Sequence, residues 1–206
     1  MPTPISAGRF VRIRPAFLVL LVLALPSLLE GQTDSAPGSS GRVRPIVGIE
    51  MVAGEVAQET KLHFGGWAGV MLGGRLTVAG GGMVLTDEVD LIGSEGSTGF
   101  TLNLGYGGLL VRYREPLTSR LDGEAGVVLG AGHAEVWNRL TRREEGADNF
   151  LLAETNLSVL YTVWRAVQVG GSIGYRLTAE VQDLPRVSAG DLNTFTASIS
   201  LRVGRK

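Results

Sequence analysis

The run Gly170-Gly171-Ser172-Ile173-Gly174 is the first place in this chain where chemistry can be sought. The pattern G-x-S-x-G presents a serine hydroxyl for attack on an acyl carbon, but only where a strand, a sharp turn and a helix follow one another around it. Here Ser172 sits inside a stretch of alternating apolar and polar residues with no helical pattern behind it, so the run reads as a glycine-rich strand. His63 and His133 are the only imidazoles. His133 has Glu135 two residues on, an acid–base pairing in principle, but no His-x-Ser spacing accompanies it, and nothing sets the two histidines at metal-ligand spacing. Gly80-Gly81-Gly82 lacks the Lys-Ser/Thr and the helix of a phosphate cradle. Arg142-Arg143-Glu144-Glu145 is a mixed-charge loop tip, readable as a contact surface for phosphates or a partner, or as an ordinary solvated loop; the second reading is preferred. No catalytic, cofactor-binding or metal-binding residue is assigned.

More informative are single charges placed in the middle of alternating segments: Glu50, Arg112, Glu124, Glu154, Arg176, Glu180 and Arg202. Each falls on the polar side of its segment. A charge left unpaired in a tight interior costs several kcal/mol. Arg112, Arg176 and Arg202 are therefore expected to pair with some of Glu50, Glu124, Glu154 and Glu180 as a structural network inside a narrow polar lumen.

The elements that must position these charges are strands. In the last one, Phe195, Ala197, Ile199, Leu201 and Val203 alternate with Thr194, Thr196, Ser198, Ser200 and Arg202 without exception. The same two-residue period covers Ile46 to Val56, Leu62 to Leu72, Leu76 to Thr86, Phe100 to Arg114, Leu121 to Trp137, Leu151 to Val163 and Val167 to Val181. That makes eight strands. Within Phe100 to Arg114 the apolar parity switches after Gly107-Gly108, and a bulge at the glycine pair would produce the switch. Short turns are expected at Gly73–Arg75, Glu115–Ser119 and Trp164–Ala166. Longer loops are expected at Ala57–Lys61, Asp87–Ser97, Asn138–Asp148 and Gln182–Asp191. The strict alternation of short and long suits a membrane barrel with one rim of turns and one of loops.

Composition narrows the class further. A formal charge of −1 gives no footprint for nucleic acid. Cysteine is absent, which removes disulfides, thiolate metal sites and cysteine nucleophiles. Glycine, at 30 of 206 residues, is about twice its usual share of ~7%, as strands need when backbones approach closely. Arg9, Arg12 and Arg14 precede an apolar run from Ala16 toward Leu29, shorter than the roughly 20 residues of a spanning helix. Small and polar residues follow. Residues 1–31 thus read as a signal peptide cleaved near Gly31–Gln32, residues 32–43 as a flexible linker, and residues 44–206 as the barrel domain.

Alternation alone does not say which face looks inward, since a soluble barrel puts its apolar face inside. The mid-strand charges, the small residues on the polar faces, and an aromatic girdle of Tyr106, Tyr113, Tyr161, Tyr175 and Trp164 favour the lipid-facing arrangement. The runs Gly105-Tyr106-Gly107-Gly108-Leu109-Leu110, Gly126-Val127-Val128-Leu129-Gly130-Ala131-Gly132 and Gly174-Tyr175-Arg176-Leu177 resemble those of small OmpA/OmpX-like outer-membrane β-barrels, over roughly residues 45–204. The resemblance implies an all-β, eight-stranded antiparallel up-and-down transmembrane barrel in the bacterial outer membrane. The expected role is non-enzymatic, structural or in surface interaction, with outer-membrane lipid, lipopolysaccharide and the outer-membrane assembly machinery as partners. Two alternatives stay open: an outer-membrane lipid-modifying enzyme built on His133 with a serine and a glutamate, as in the lipid A deacylases of similar size, and a soluble periplasmic lipocalin-like ligand-binding barrel.

Overall fold

The computed structural model describes residues 43–87, 89–91, 99–182, 184–185 and 187–204. The expected signal peptide, and the expected linker up to residue 42, lie outside the described residues. Among the described residues, nine strands follow in chain order: β1 Val43–Val56, β2 Glu59–Leu72, β3 Leu76–Leu85, β4 Val89–Leu91, β5 Phe100–Pro116, β6 Leu121–Asn138, β7 Arg143–Trp164, β8 Val167–Ala179 and β9 Thr194–Gly204. A single turn of 3-10 helix, Ala189–Leu192, precedes β9.

All pairings are antiparallel. Each long strand pairs with the next, β3 bonds directly to β5, and β1 bonds to β9 with Met51 opposite Ile199. Eight long strands therefore close into a ring, and no edge of the ladder is left open between them. The three-residue β4, inside the stretch expected to be a loop, adds to β5 beyond the end of β3, with Val89 opposite Leu102.

Side-chain direction follows the two-residue period. Phe195 is 81% exposed and Ile173 67% exposed, whereas Arg202 is 1% exposed. Val47, Ile49, Met51, Leu157, Val159, Leu201 and Val203 likewise point away from the bore. The apolar faces look outward and the charges inward.

Three expectations are corrected. First, the parity of β5 does not switch. Its register against β6 runs unbroken from Phe100 opposite Asn138 to Pro116 opposite Asp122, so there is no bulge at Gly107-Gly108. Leu102, Leu104 and Tyr106 point inward with Leu110, Arg112 and Arg114. The surroundings change, not the strand. Near the loops the bore is filled by an apolar cluster that includes Val56, Leu102, Leu104, Val136, Phe150 and Leu152, while Asn103 and His133 face out. Tyr106 consequently leaves the expected girdle; Tyr113, Tyr161, Tyr175 and Trp164 remain exposed on the outside.

Second, the connection expected at Ala57–Lys61 is a two-residue hairpin turn. Ala57 and Gln58 take φ of 49° and 70°, the left-handed pair that matches the twist of flanking strands. Third, the polar stretch Asn138–Asp148 is mostly strand: β6 reaches Asn138 and β7 begins at Arg143, so the two form a long hairpin with one irregularity of register near Val136 and Trp137. The strict alternation of short and long connections is therefore broken at both places. In the last connection, Leu184, Val187 and Leu192 pack onto the apolar cluster over the end of the bore. Its position is held by hydrogen bonds from the Thr178 hydroxyl to the Ala189 carbonyl (2.8 Å) and from Ala57 N–H to the Asp191 carbonyl (3.0 Å).

Glycine makes the narrow bore possible. Trp67 lies across it against Gly48 and Gly81, where a Cβ would stand 2.6 Å and 2.5 Å from Trp67 atoms. Gly48→Ala is expected to destabilise the barrel by about 1–3 kcal/mol through this overlap. Gly171→Ala adds a methyl whose nearest neighbour, the Ser198 carbonyl oxygen, is 3.9 Å away, and should stay within about 0.5 kcal/mol of the parent. Urea unfolding of the refolded barrel, followed by tryptophan fluorescence, compares the two.

Candidate functional site

Among the described residues, the bore below the apolar cluster contains four buried arginines, Arg112, Arg114, Arg176 and Arg202, and four buried carboxylates, Glu50, Asp122, Glu124 and Glu154. Each is delivered by the inward parity of its strand. Charges of both signs are equal in number, so the bore carries no net charge from these eight groups.

Glu124 on β6 is the hub. Its Oε1 accepts a hydrogen bond from Arg202 Nη1 at 2.7 Å and lies 3.7 Å from Arg112 Nε; its Oε2 lies 3.7 Å from Arg114 Nη2. Arg112 Nη2 donates to Glu50 Oε2 at 3.1 Å, linking β5 across the bore to β1. Glu50 Oε1 accepts from the Ser198 hydroxyl at 2.5 Å, and the Ser172 and Ser198 hydroxyls are 2.6 Å apart. The Trp67 ring stands near both Arg112 (5.2 Å) and Arg202 (5.3 Å), its negative face offsetting part of the repulsion between two guanidiniums. Arg114 approaches Asp122 at 3.9 Å, and Gln168 Nε2 donates to Asp122 at 3.1 Å.

A second cluster lies nearer the loops. Arg176 Nε and Nη2 both meet Glu154 Oε2 at 2.9 Å, and Nη2 also donates to the Tyr106 hydroxyl. The Arg176 guanidinium sits 4.3 Å from the Tyr106 ring centre, and buried His63 meets the same ring edge-on at 5.7 Å. Between the two clusters is a cavity of about 40 Å³, bounded by Glu50, Trp67, Tyr106, Arg112, Glu154 and Asn156 among others. At roughly 10–15 Å³ per ordered water, it has room for a few molecules and no more.

Of the residues singled out from sequence, Glu50, Arg112, Glu124, Glu154, Arg176 and Arg202 thus meet inside the bore. Glu180 does not. It follows the last residue of β8 with φ of 66° and is exposed, because the left-handed backbone turns the chain off the ladder at the rim. Arg114 and Asp122 were missed, although parity marks them: Arg114 is in phase with Arg112, and Asp122 with Glu124.

The other sequence candidates separate. Ser172 lies within β8 and points into the bore toward Ser198, without the turn and helix of a nucleophile elbow. His63 faces inward and His133 outward, so the barrel wall stands between them, and no cluster of metal-ligating groups occurs among the described residues. His133 bonds through Nδ1 to Asn149 (3.0 Å) and through Nε2 to Glu135 (3.2 Å), while Trp137 Nε1 donates to the other Glu135 oxygen at 3.0 Å. No serine takes part in that group among the described contacts.

The chain matches no protein-family model and no curated protein sequence. Its fold does match solved structures. The crystal structure of Neisserial surface protein A (NspA) superposes with a TM-score of 0.55 at 15% identity, covering 81% of this chain and 98% of that one. The N-terminal β-barrel domain of Pseudomonas aeruginosa OprF gives a TM-score of 0.50 at 15% identity, covering 79% and 99%. An outward apolar band, an inward charge network and closure through eight antiparallel strands together give this chain the fold of the small outer-membrane β-barrels.

Proposed function

We propose that this protein is a small, non-enzymatic barrel of the bacterial outer membrane, with a bore closed by its own side chains and a structural or surface-interaction role. The observation that carries the reading is the apolar band. Each large apolar side chain left in water forgoes about 1.5–3 kcal/mol. Over a band that includes Val47, Ile49, Leu157, Val159, Ile173, Phe195, Ile199 and Leu201, the loss is of the same order as the 5–15 kcal/mol by which folded domains are stable. A hydrocarbon surround removes it. The closed ring supports the same reading, because lipid offers no partner for an unpaired sheet edge.

In this reading the loop rim faces the outside, where lipopolysaccharide and surface partners meet it, and the assembly machinery of the outer membrane inserts the chain. Similarity to NspA, a surface protein by name, supports a surface role. The bore network would hold opposite walls together: Glu124 on β6 with Arg202 on β9, and Arg112 on β5 with Glu50 on β1.

Cell fractionation should recover the protein with the outer membrane, and it should migrate differently in gels before and after boiling. Recovery from the soluble fraction without detergent would instead favour the lipocalin-like alternative. In planar bilayers the purified barrel should give no large, stable conductance steps. Glu124→Gln leaves Arg202 buried without its partner and should lower unfolding stability by about 3–5 kcal/mol. Adding Arg202→Gln to that variant should restore a substantial part of the loss, as read from urea midpoints in a double-mutant cycle.

A further inference from the structure

The rim formed by the short turns has a repeated feature, and its meaning rests on the membrane reading above. Each of the three turns carries one exposed arginine: Arg75 between β2 and β3, Arg120 between β5 and β6, and Arg165 between β7 and β8. Each has an outward aromatic side chain beside it. Arg75 Nη1 donates to the Tyr113 hydroxyl at 3.2 Å, and Arg120 Nη1 reaches the Tyr161 hydroxyl at 3.5 Å. Arg165 follows Trp164, which is 72% exposed. Two of these arginines are also fixed in height by the ladder. The Arg75 carbonyl accepts from Arg114 N–H, and the Arg120 carbonyl from Thr162 N–H, each at 2.8 Å.

Three guanidiniums therefore stand just past the last side chains of the apolar band, next to rings of the kind that settle where hydrocarbon meets water. A guanidinium is a planar, weakly hydrated fork that fits phosphate oxygens. The charge of the two rims differs in sign. At the turn rim Glu115 is the one exposed carboxylate among the described residues, 3.1 Å from Arg75. At the loop rim Glu55, Asp87, Glu144, Glu145 and Glu180 are all exposed, and carboxylates outnumber cations among the described residues. Among the described residues, the excess of exposed cations over carboxylates lies at the turn rim.

We infer that Arg75, Arg120 and Arg165, each with its aromatic neighbour Tyr113, Tyr161 or Trp164, bind the phosphate headgroups of anionic phospholipids in the leaflet that meets the turn rim. Glu115 competes with the headgroup for Arg75.

Trp164 reports on this rim directly. In the Trp137→Phe background it is the tryptophan left on the outer wall, because Trp67 is enclosed in the bore. The protein is refolded into phosphatidylcholine vesicles that contain a fraction of brominated phosphatidylglycerol or, separately, the same fraction of brominated phosphatidylcholine. Brominated phosphatidylglycerol should quench Trp164 more strongly. The variant R165Q should lower the relative binding constant read at Trp164 roughly fivefold, and R75Q/R120Q/R165Q should abolish the difference. Added salt should reduce it. Equal quenching by the two lipids, or a preference unchanged in the triple variant, overturns the headgroup site while leaving the membrane reading intact. Absence of quenching by either lipid overturns both.

Discussion

Closure of the hydrogen-bond ladder is the constraint on which the rest of this structure depends. A sheet that shows its apolar side to the outside can leave no row of peptide groups unpaired. The seam between β1 and β9 meets that condition with a continuous register from Ile46 opposite Gly204 to Gly54 opposite Thr196. The direct bonding of β3 to β5 does the same where the chain detours through β4. Once eight strands are joined this way, the bore is narrow, and every residue of inward parity must fit within it.

Two consequences meet in that bore. Space is short, so glycine occupies the inward positions opposite large rings, as Gly48 and Gly81 do for Trp67. Solvation is also short, so each charge needs a partner of its own. Arg202 has Glu124, Arg112 has Glu50, and Arg176 has Glu154. Trp67 joins the two requirements, since the ring admitted by glycine is the one that faces Arg112 and Arg202.

Much of this was legible in the sequence because a strand has a fixed period of two. The perfect alternation from Thr194 to Val203 identified both faces of β9, and mid-strand charges such as Glu124 and Arg202 announced a polar interior. What alternation does not encode is the medium each face meets. In β5 the apolar residues change parity between Tyr106 and Leu109, which in sequence looks like a bulge. The strand is regular, and the outer surroundings pass from an apolar band to water, so Leu102 and Leu104 turn to the bore while Asn103 faces out. Glu180 misled for a related reason: it keeps the parity of β8 on paper, but the ladder has ended one residue before it. The turn at Ala57-Gln58 was hidden because neither residue is a customary left-handed one.

The β6–β7 hairpin has a bearing on recognition. At about 3.3 Å per residue, the 22 residues of β7 extend roughly 70 Å along the strand, and at the usual tilt they rise about twice the ~25 Å apolar girdle of such barrels. The projecting arm, with Arg143, Glu144 and Glu145 near its tip, is paired backbone and not slack chain. Any partner that docked there would meet a surface already set in shape, so association would forfeit little chain entropy.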